Sequence, residues 1–169
     1  MENKSNFELK PLSPSAIPAA LEKAQRYRLL NEPFEAESIC LDVLAVDAQN
    51  QTALVTLLLA LSDQLDTRMA AYNQALEIVP RLDSEYARAY YEGILCERRG
   101  RAHHRQQSAF SGPTAYEWFT KAMALYERAQ ALRPPGDDDS IMRWNTCART
   151  LMRHAELAPA PDQGELPLE

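Results

Sequence analysis

Apolar residues recur every three to four positions along most of the chain, the spacing that predicts amphipathic helices. Ser15 is placed to cap a first helix, with Pro18 in its opening turn and Ile17, Leu21, Ala24 and Tyr27 on one face. Asn31-Glu32-Pro33 ends it. A second helix is predicted over about 34–47, burying Ala36, Ile39, Cys40, Val43 and Leu44. The third, over about 51–65, is apolar on nearly every side and is expected to be central and covered on both flanks. Asp66-Thr67 turns the chain into a fourth, which Pro80 closes, and Asp83-Ser84 caps a fifth that ends near Gly100. The next stretch, 101–113, closes with Ser111-Gly112-Pro113, a strong breaker. Beyond it a sixth helix puts Trp118, Phe119, Ala122, Leu125, Tyr126 and Ala129 on one face, stopped by Pro134-Pro135-Gly136. Asp137-Asp138-Asp139-Ser140 suits the positive end of a seventh, which runs to about 154 with Arg149, Arg153 and His154 at its negative end. No Gly or Pro interrupts 34–79, and runs of alternating β-branched residues are absent. The prediction is an all-α fold of about seven antiparallel helices.

A repeat lies inside this pattern. The sixth helix reads Ala122-x3-Tyr126-x2-Ala129-x4-Pro134. The fourth reads Tyr72-x2-Ala75-x4-Pro80, and the second Ala36-x3-Cys40-x2-Val43-x4-Ala48. Small residues let two helices approach closely, the larger one fills the gap to the next unit, and Pro stops the helix. This pattern resembles the second helix of the tetratricopeptide repeat, a helix–turn–helix unit of roughly 34 residues. First helices agree less closely: Ala24 and Tyr27, then Leu57, Ala60 and Leu61, then Gly93 and Gly100. The second unit is short at its internal turn and has Arg68 where Ala is expected, and the third carries an insertion at about 101–117. The resemblance covers about 16–135, with 137–154 as a terminal capping helix.

Composition places the ends and the setting. Residues 1–14, with Pro11 and Pro14, read as a flexible lead-in to a helical domain over 15–156. Residues 157–169 hold Pro159, Pro161, Gly164 and Pro167 without a basic residue, and are expected to be an acidic disordered tail. Cys40, Cys96 and Cys147 are odd in number and far apart, which points to reduced, buried thiols and a cytoplasmic setting rather than a disulfide framework. No apolar run approaches the roughly 20 residues of a membrane span, and the polar N-terminus lacks a secretory core. The net charge of −6 is uneven: −7 over residues 1–97, +5 over 98–154 and −4 over 155–169. That asymmetry suggests oriented contact with a charged partner.

Candidate chemistry is sparse. His103 and His104 are adjacent and diverge on a helix, and no Cys or His pair stands at a metal-ligand spacing. No Gly-rich phosphate loop precedes a helix, and Asp137-Asp138-Asp139 sits in no calcium loop. Catalytic residues, metal and cofactor are therefore expected to be none. The resemblance implies instead a concave groove lined by first helices, here at Leu21, Gln25, Arg28 and Leu29, at Val55, Leu59, Ser62 and Asp63, and at Tyr90, Ile94, Glu97 and Arg98. Such a mixture suits a segment of another protein held by a few anchors. Family members that clamp a chaperone's terminal carboxylate use Lys and Asn where this chain has Leu21 and Gln25, which speaks against that subclass. A second candidate surface is Arg98, Arg99, Arg101, His103, His104 and Arg105, fit for an acidic protein. Net acidity and the lack of a binding motif weigh against nucleic acid. The expected function is a non-catalytic adaptor, scaffold or chaperone-like subunit, the alternative an accessory subunit of an enzyme complex docking through the basic insertion.

Overall fold

The structure, a computed structural model, describes residues 7–108 and 110–161. Among these, the chain forms seven α-helices and no strand: α1 (Ile17–Leu29), α2 (Pro33–Val46), α3 (Gln51–Ser62), α4 (Ala70–Ile78), α5 (Glu85–Arg105), α6 (Ser111–Leu132) and α7 (Asp139–Arg153). Short 3-10 turns, Pro14–Ala16 and Val79–Arg81, precede α1 and follow α4. Consecutive helices pack on one another, while α1 touches α3 and α3 touches α5, so helix–turn–helix pairs stack with α1, α3 and α5 side by side. No helix among the described residues is long and apolar enough to cross a membrane.

Local chemistry explains the boundaries. Asn31 adopts a left-handed φ of 59°, its N–H donates to the Arg28 carbonyl, and the Glu32 N–H donates to Tyr27. That is a Schellman turn, with Asn in the place Gly usually takes. Asn50 and Ser84 cap α3 and α5 by accepting from the Ala53 and Ala87 amides. Ser15 does not cap α1; it lies within the 3-10 turn that Pro14 opens, and no side chain caps the helix. Asp138 and Asp139 stand at the start of α7, where the Asp137 carboxylate accepts from the Asp139 amide.

Two expectations about the insertion are corrected. The fifth helix does not end near Gly100 but continues for more than a turn to Arg105, and Ser111-Gly112-Pro113 opens α6 rather than breaking it. Pro needs no amide partner in a first turn, so the helix tolerates it there. The insertion therefore lengthens α5 and α6 into one long antiparallel pair. The tail is corrected at its start as well. Leu157 is buried against α5, α6 and α7, with its amide bonded to the His154 carbonyl. Residues 158–161 are exposed coil, and 162–169 lie outside the described residues, as do 1–6 of the lead-in. Within that lead-in Leu12 packs against the small core made by Leu21, Val43 and Ala53.

Two larger cores run along the stack. The first joins α1 through α5 around Leu54, Leu57, Leu58 and Leu61 of α3. The second joins α5, α6 and α7 around Ile94, Phe119, Tyr126 and Cys147. Arg68, the residue that departs from the repeat pattern, ties units together: its guanidinium meets Glu37 of α2 at 2.9 Å and reaches Gln64 and Gln74. All three cysteines are free and buried, and burial pushes their thiols up to about 12, 11 and 12 for Cys40, Cys96 and Cys147.

The α5–α6 pair approaches closely at two glycines. A β-carbon on Gly93 would stand 2.6 Å from the Tyr126 ring, and one on Gly100 would stand 3.2 Å from Phe119. Both rings are fully buried and have no room to retreat. Gly93→Ala gains about 1 kcal/mol of helix propensity but forces overpacking that costs about 1–3 kcal/mol. The expected result is a Tm lowered by a few degrees in thermal unfolding. A raised Tm would show that the two helices do not approach this closely.

Candidate functional site

The face shared by α1, α3 and α5 carries a network of charges rather than an open apolar groove. Asp63, the residue that ends α3, accepts from the Arg28 Nε of α1 at 2.8 Å and is also paired with Arg98 of α5. Arg98 donates in addition to the Ser62 hydroxyl at 2.5 Å and to the Leu59 carbonyl at 3.2 Å. One carboxylate thus joins α1, α3 and α5. Burial pulls the Arg98 guanidinium down from its ordinary value, and Asp63 opposes that shift.

One residue earlier on α5, Glu97 points the other way. Its carboxylate is fully buried and accepts from the Tyr126 hydroxyl of α6 at 2.7 Å and from Arg101 at 2.6 Å. Arg143 of α7 completes the set at 3.4 Å. Burial and the adjacent carboxylate drive the Tyr126 phenol strongly upward, so it stays a hydrogen-bond donor. Tyr90 lies beside this cluster, stacked on Tyr86 with ring centroids 5.8 Å apart and tilted against Tyr126 at 6.0 Å.

The expected groove is corrected by these placements. Glu97 and Ile94 are buried inside the α5–α6–α7 core and offer nothing to a partner. Leu21 and Ser62 are buried as well, and Leu59 packs between the two larger cores. Their helical register puts them inward of the groove line because the helices pack tightly on this side. Gln25 and Leu29 remain exposed on α1, and Arg28, Asp63, Tyr90 and Arg98 are half-buried.

The expected basic surface is divided: Arg98 and Arg99 are engaged within the fold, while the side chains of Arg101 and Arg105 stay 41% and 63% exposed. Arg99 lies between aromatic rings, 4.2 Å from the centroid of Tyr72 and 4.6 Å from that of Trp118, with its Nε buried and unpaired. Arg105 pairs with Asp66 across the turn that follows α3, and His104 meets Glu156 at 3.0 Å. His103 is partly exposed on α5, where burial lowers its tendency to charge. Consecutive residues on α5 point to different neighbours, which a linear run of charges hides.

What the network leaves open is a cleft of about 420 Å³ lined by Asn31, Ser62, Asp63, Leu65, Asp66, Arg98, Arg101 and Arg105. Five guanidinium groups in and behind it (Arg28, Arg98, Arg101, Arg105 and Arg143) share the carboxylates of Asp63, Asp66 and Glu97. The surplus is cationic. Next to Asn31 on its rim, Leu29 and Leu30 are strongly exposed. A second, smaller depression of about 240 Å³ lies between α5 and α7 at Tyr90, Asp139, Met142, Arg143 and Thr146. Asp66, Asn31 and Arg143 were outside the expected site; they reach it through turns and through α7, which no pattern within one helix encodes.

No known protein family, no curated protein and no solved structure matches this chain.

The buried half of the network sets a clear order of stabilities. Glu97→Ala orphans the Tyr126 hydroxyl and removes the counter-charge of two arginines, and an unpaired buried polar group alone costs about 1–3 kcal/mol. Glu97→Gln keeps an acceptor for Tyr126 and is expected to lose less. Chemical denaturation of both variants checks the order, and equal midpoints for the two would mean that the acceptor for Tyr126 contributes nothing.

Proposed function

We propose that this protein is a non-catalytic interaction module of the tetratricopeptide kind. In this reading it takes a segment of another protein along the α1–α3–α5 face. The observation that carries the reading is the excess of guanidinium groups around the 420 Å³ cleft, which selects an acidic segment. Arg105 holds Asp66 only across an exposed surface pair, so it is free to exchange that contact for a ligand carboxylate, while Arg101 stays on the buried Glu97 and adds its charge to the cleft. Exposed pairs of that sort contribute little, about 0–1 kcal/mol, so a partner displaces them cheaply. Arg also presents a planar fork that suits carboxylates bidentately. The exposed Leu29 and Leu30 beside Asn31 add an apolar contact for the same segment. Docking through the basic insertion shares Arg101 and Arg105 with this reading, and has less support at His104, which is paired with Glu156.

Fluorescence anisotropy with labelled peptides of mixed Glu and Leu tests the reading, with Lys-for-Glu peptides as the control. The acidic peptides are expected to bind and to be released by high salt, as screening of a charged cleft requires. Replacing Arg105 by Glu is expected to weaken binding about tenfold or more while the helical spectrum is kept. Equal binding of acidic and basic peptides, or no effect of the Arg105 variant, would sink the proposal.

A further inference from the structure

The far end of α5 brings together three metal-ligating side chains that are remote in sequence. His104 stands in the last turn of α5, His154 ends α7, and Glu156 follows two residues later. The His104 Nε2 lies 3.0 Å from the Glu156 Oε1, and the His154 Nδ1 lies 3.2 Å from the same oxygen. One ligand atom from each residue falls within 4.8 Å of the others, and the two imidazole centroids are 4.6 Å apart. Neighbouring ligands around a tetrahedral Zn²⁺ with bonds of about 2.0–2.1 Å stand about 3.3 Å apart. Two of the three spacings already match, and a small closure of the rings supplies the third.

The ligands are held by the fold on both sides. The Leu157 amide donates to the His154 carbonyl at 2.9 Å, closing the turn that carries His154 and Glu156. The Leu157 side chain is buried in the second core. On the opposite side the Glu156 carbonyl presses on Gly112 of α6, where an added β-carbon would lie 2.3 Å away. Gly112 therefore gives this turn its seat, and a larger residue would push Glu156 off it. Preorganised ligands of this kind lose little freedom on binding a metal. Beside them a depression of about 350 Å³, lined by His104, Gln107, Ser108, Ser111, Gly112, Pro113 and Glu156, leaves a coordination position reachable from solvent.

We propose that His104, His154 and Glu156 form a binding site for a divalent transition-metal ion of the zinc type. Two imidazoles and one carboxylate suit such an ion, and a Mg²⁺ or Ca²⁺ site would call for more oxygen ligands. Three protein ligands leave a fourth position for water or for a donor from outside the chain. The ion would clip the C-terminal ends of α5 and α7 together.

The test uses the full chain, stripped of metal by a chelator and titrated with Zn²⁺ in a calorimeter, with Co²⁺ absorption as a report on geometry. One Zn²⁺ per chain is expected, with visible bands for Co²⁺ of a low-symmetry site. His104→Gln and His154→Asn keep an N–H directed at Glu156, so the turn retains its hydrogen bonds while the ligand is lost. Each is expected to weaken Zn²⁺ binding about tenfold or more, whereas His103→Gln leaves it unchanged. The buried thiols of Cys40, Cys96 and Cys147 do not compete in the folded protein, and circular dichroism of each variant confirms that the fold is kept. Absence of stoichiometric binding by the folded wild-type chain overturns the proposal, and so does binding that both folded His variants retain in full.

Discussion

A carboxylate with no access to water organises the C-terminal half of this molecule. Glu97 enters the core of α5, α6 and α7 because three donors await it there: the Tyr126 hydroxyl, Arg101 and Arg143. Desolvating an ion is costly, and only a complete set of partners offsets it. The set is complete only when α6 is close enough for Tyr126 to reach and α7 lies across both. The glycines of α5 allow the first condition, since Gly93 faces Tyr126 itself. Close packing and charge pairing are therefore one constraint seen from two sides.

Asp63 repeats the device with less burial at the junction of α1, α3 and α5. Placed at consecutive positions, Glu97 and Arg98 send opposite charges to opposite sides of α5, one into the α6–α7 core and the other to Asp63. The chain's apolar cores alone would permit the helices to slide. Charges that must pair atom by atom fix the register, and the cleft between Arg98 and Arg105 is a by-product of that register.

Helix identity was legible in the sequence because the apolar period is strong and because Asn31, Pro80 and Pro134 punctuate it. Boundaries around 100–117 were not. Gly100 looks like a stop in isolation, yet its lack of a side chain serves packing against Phe119, so the helix passes through it. For the site, the repeat register that the resemblance implies put Arg28, Asp63 and Arg98 on one face, where hydrogen bonds join them. The same register placed Glu97 and Ile94 there as well, since it cannot tell that α7 covers part of that face. The His104–His154–Glu156 cluster was invisible for a simpler reason. Its members are separated by about half a hundred residues, and only the His154-x-Glu156 half is local.

Pairing on the α1–α5 face separates what must be rigid from what is free to move. Arg28, Asp63 and Arg98 are each about one-fifth exposed and bridge helices, so disturbing them loosens the stack. Arg105 stands further along α5 with 63% of its side chain exposed, and its pair with Asp66 is one that water or a ligand replaces at small cost, while Arg101 stays on the buried Glu97. A cationic face built this way keeps its fold while its outermost arginine changes partner. The exposed Asp66 and the buried Glu97 also keep the surplus charge from repelling itself, because each sits against the arginines that line the cleft. In the proposed reading, affinity for an acidic segment comes from the charge that the fold can spare at Arg105, and specificity from the arginines that it cannot.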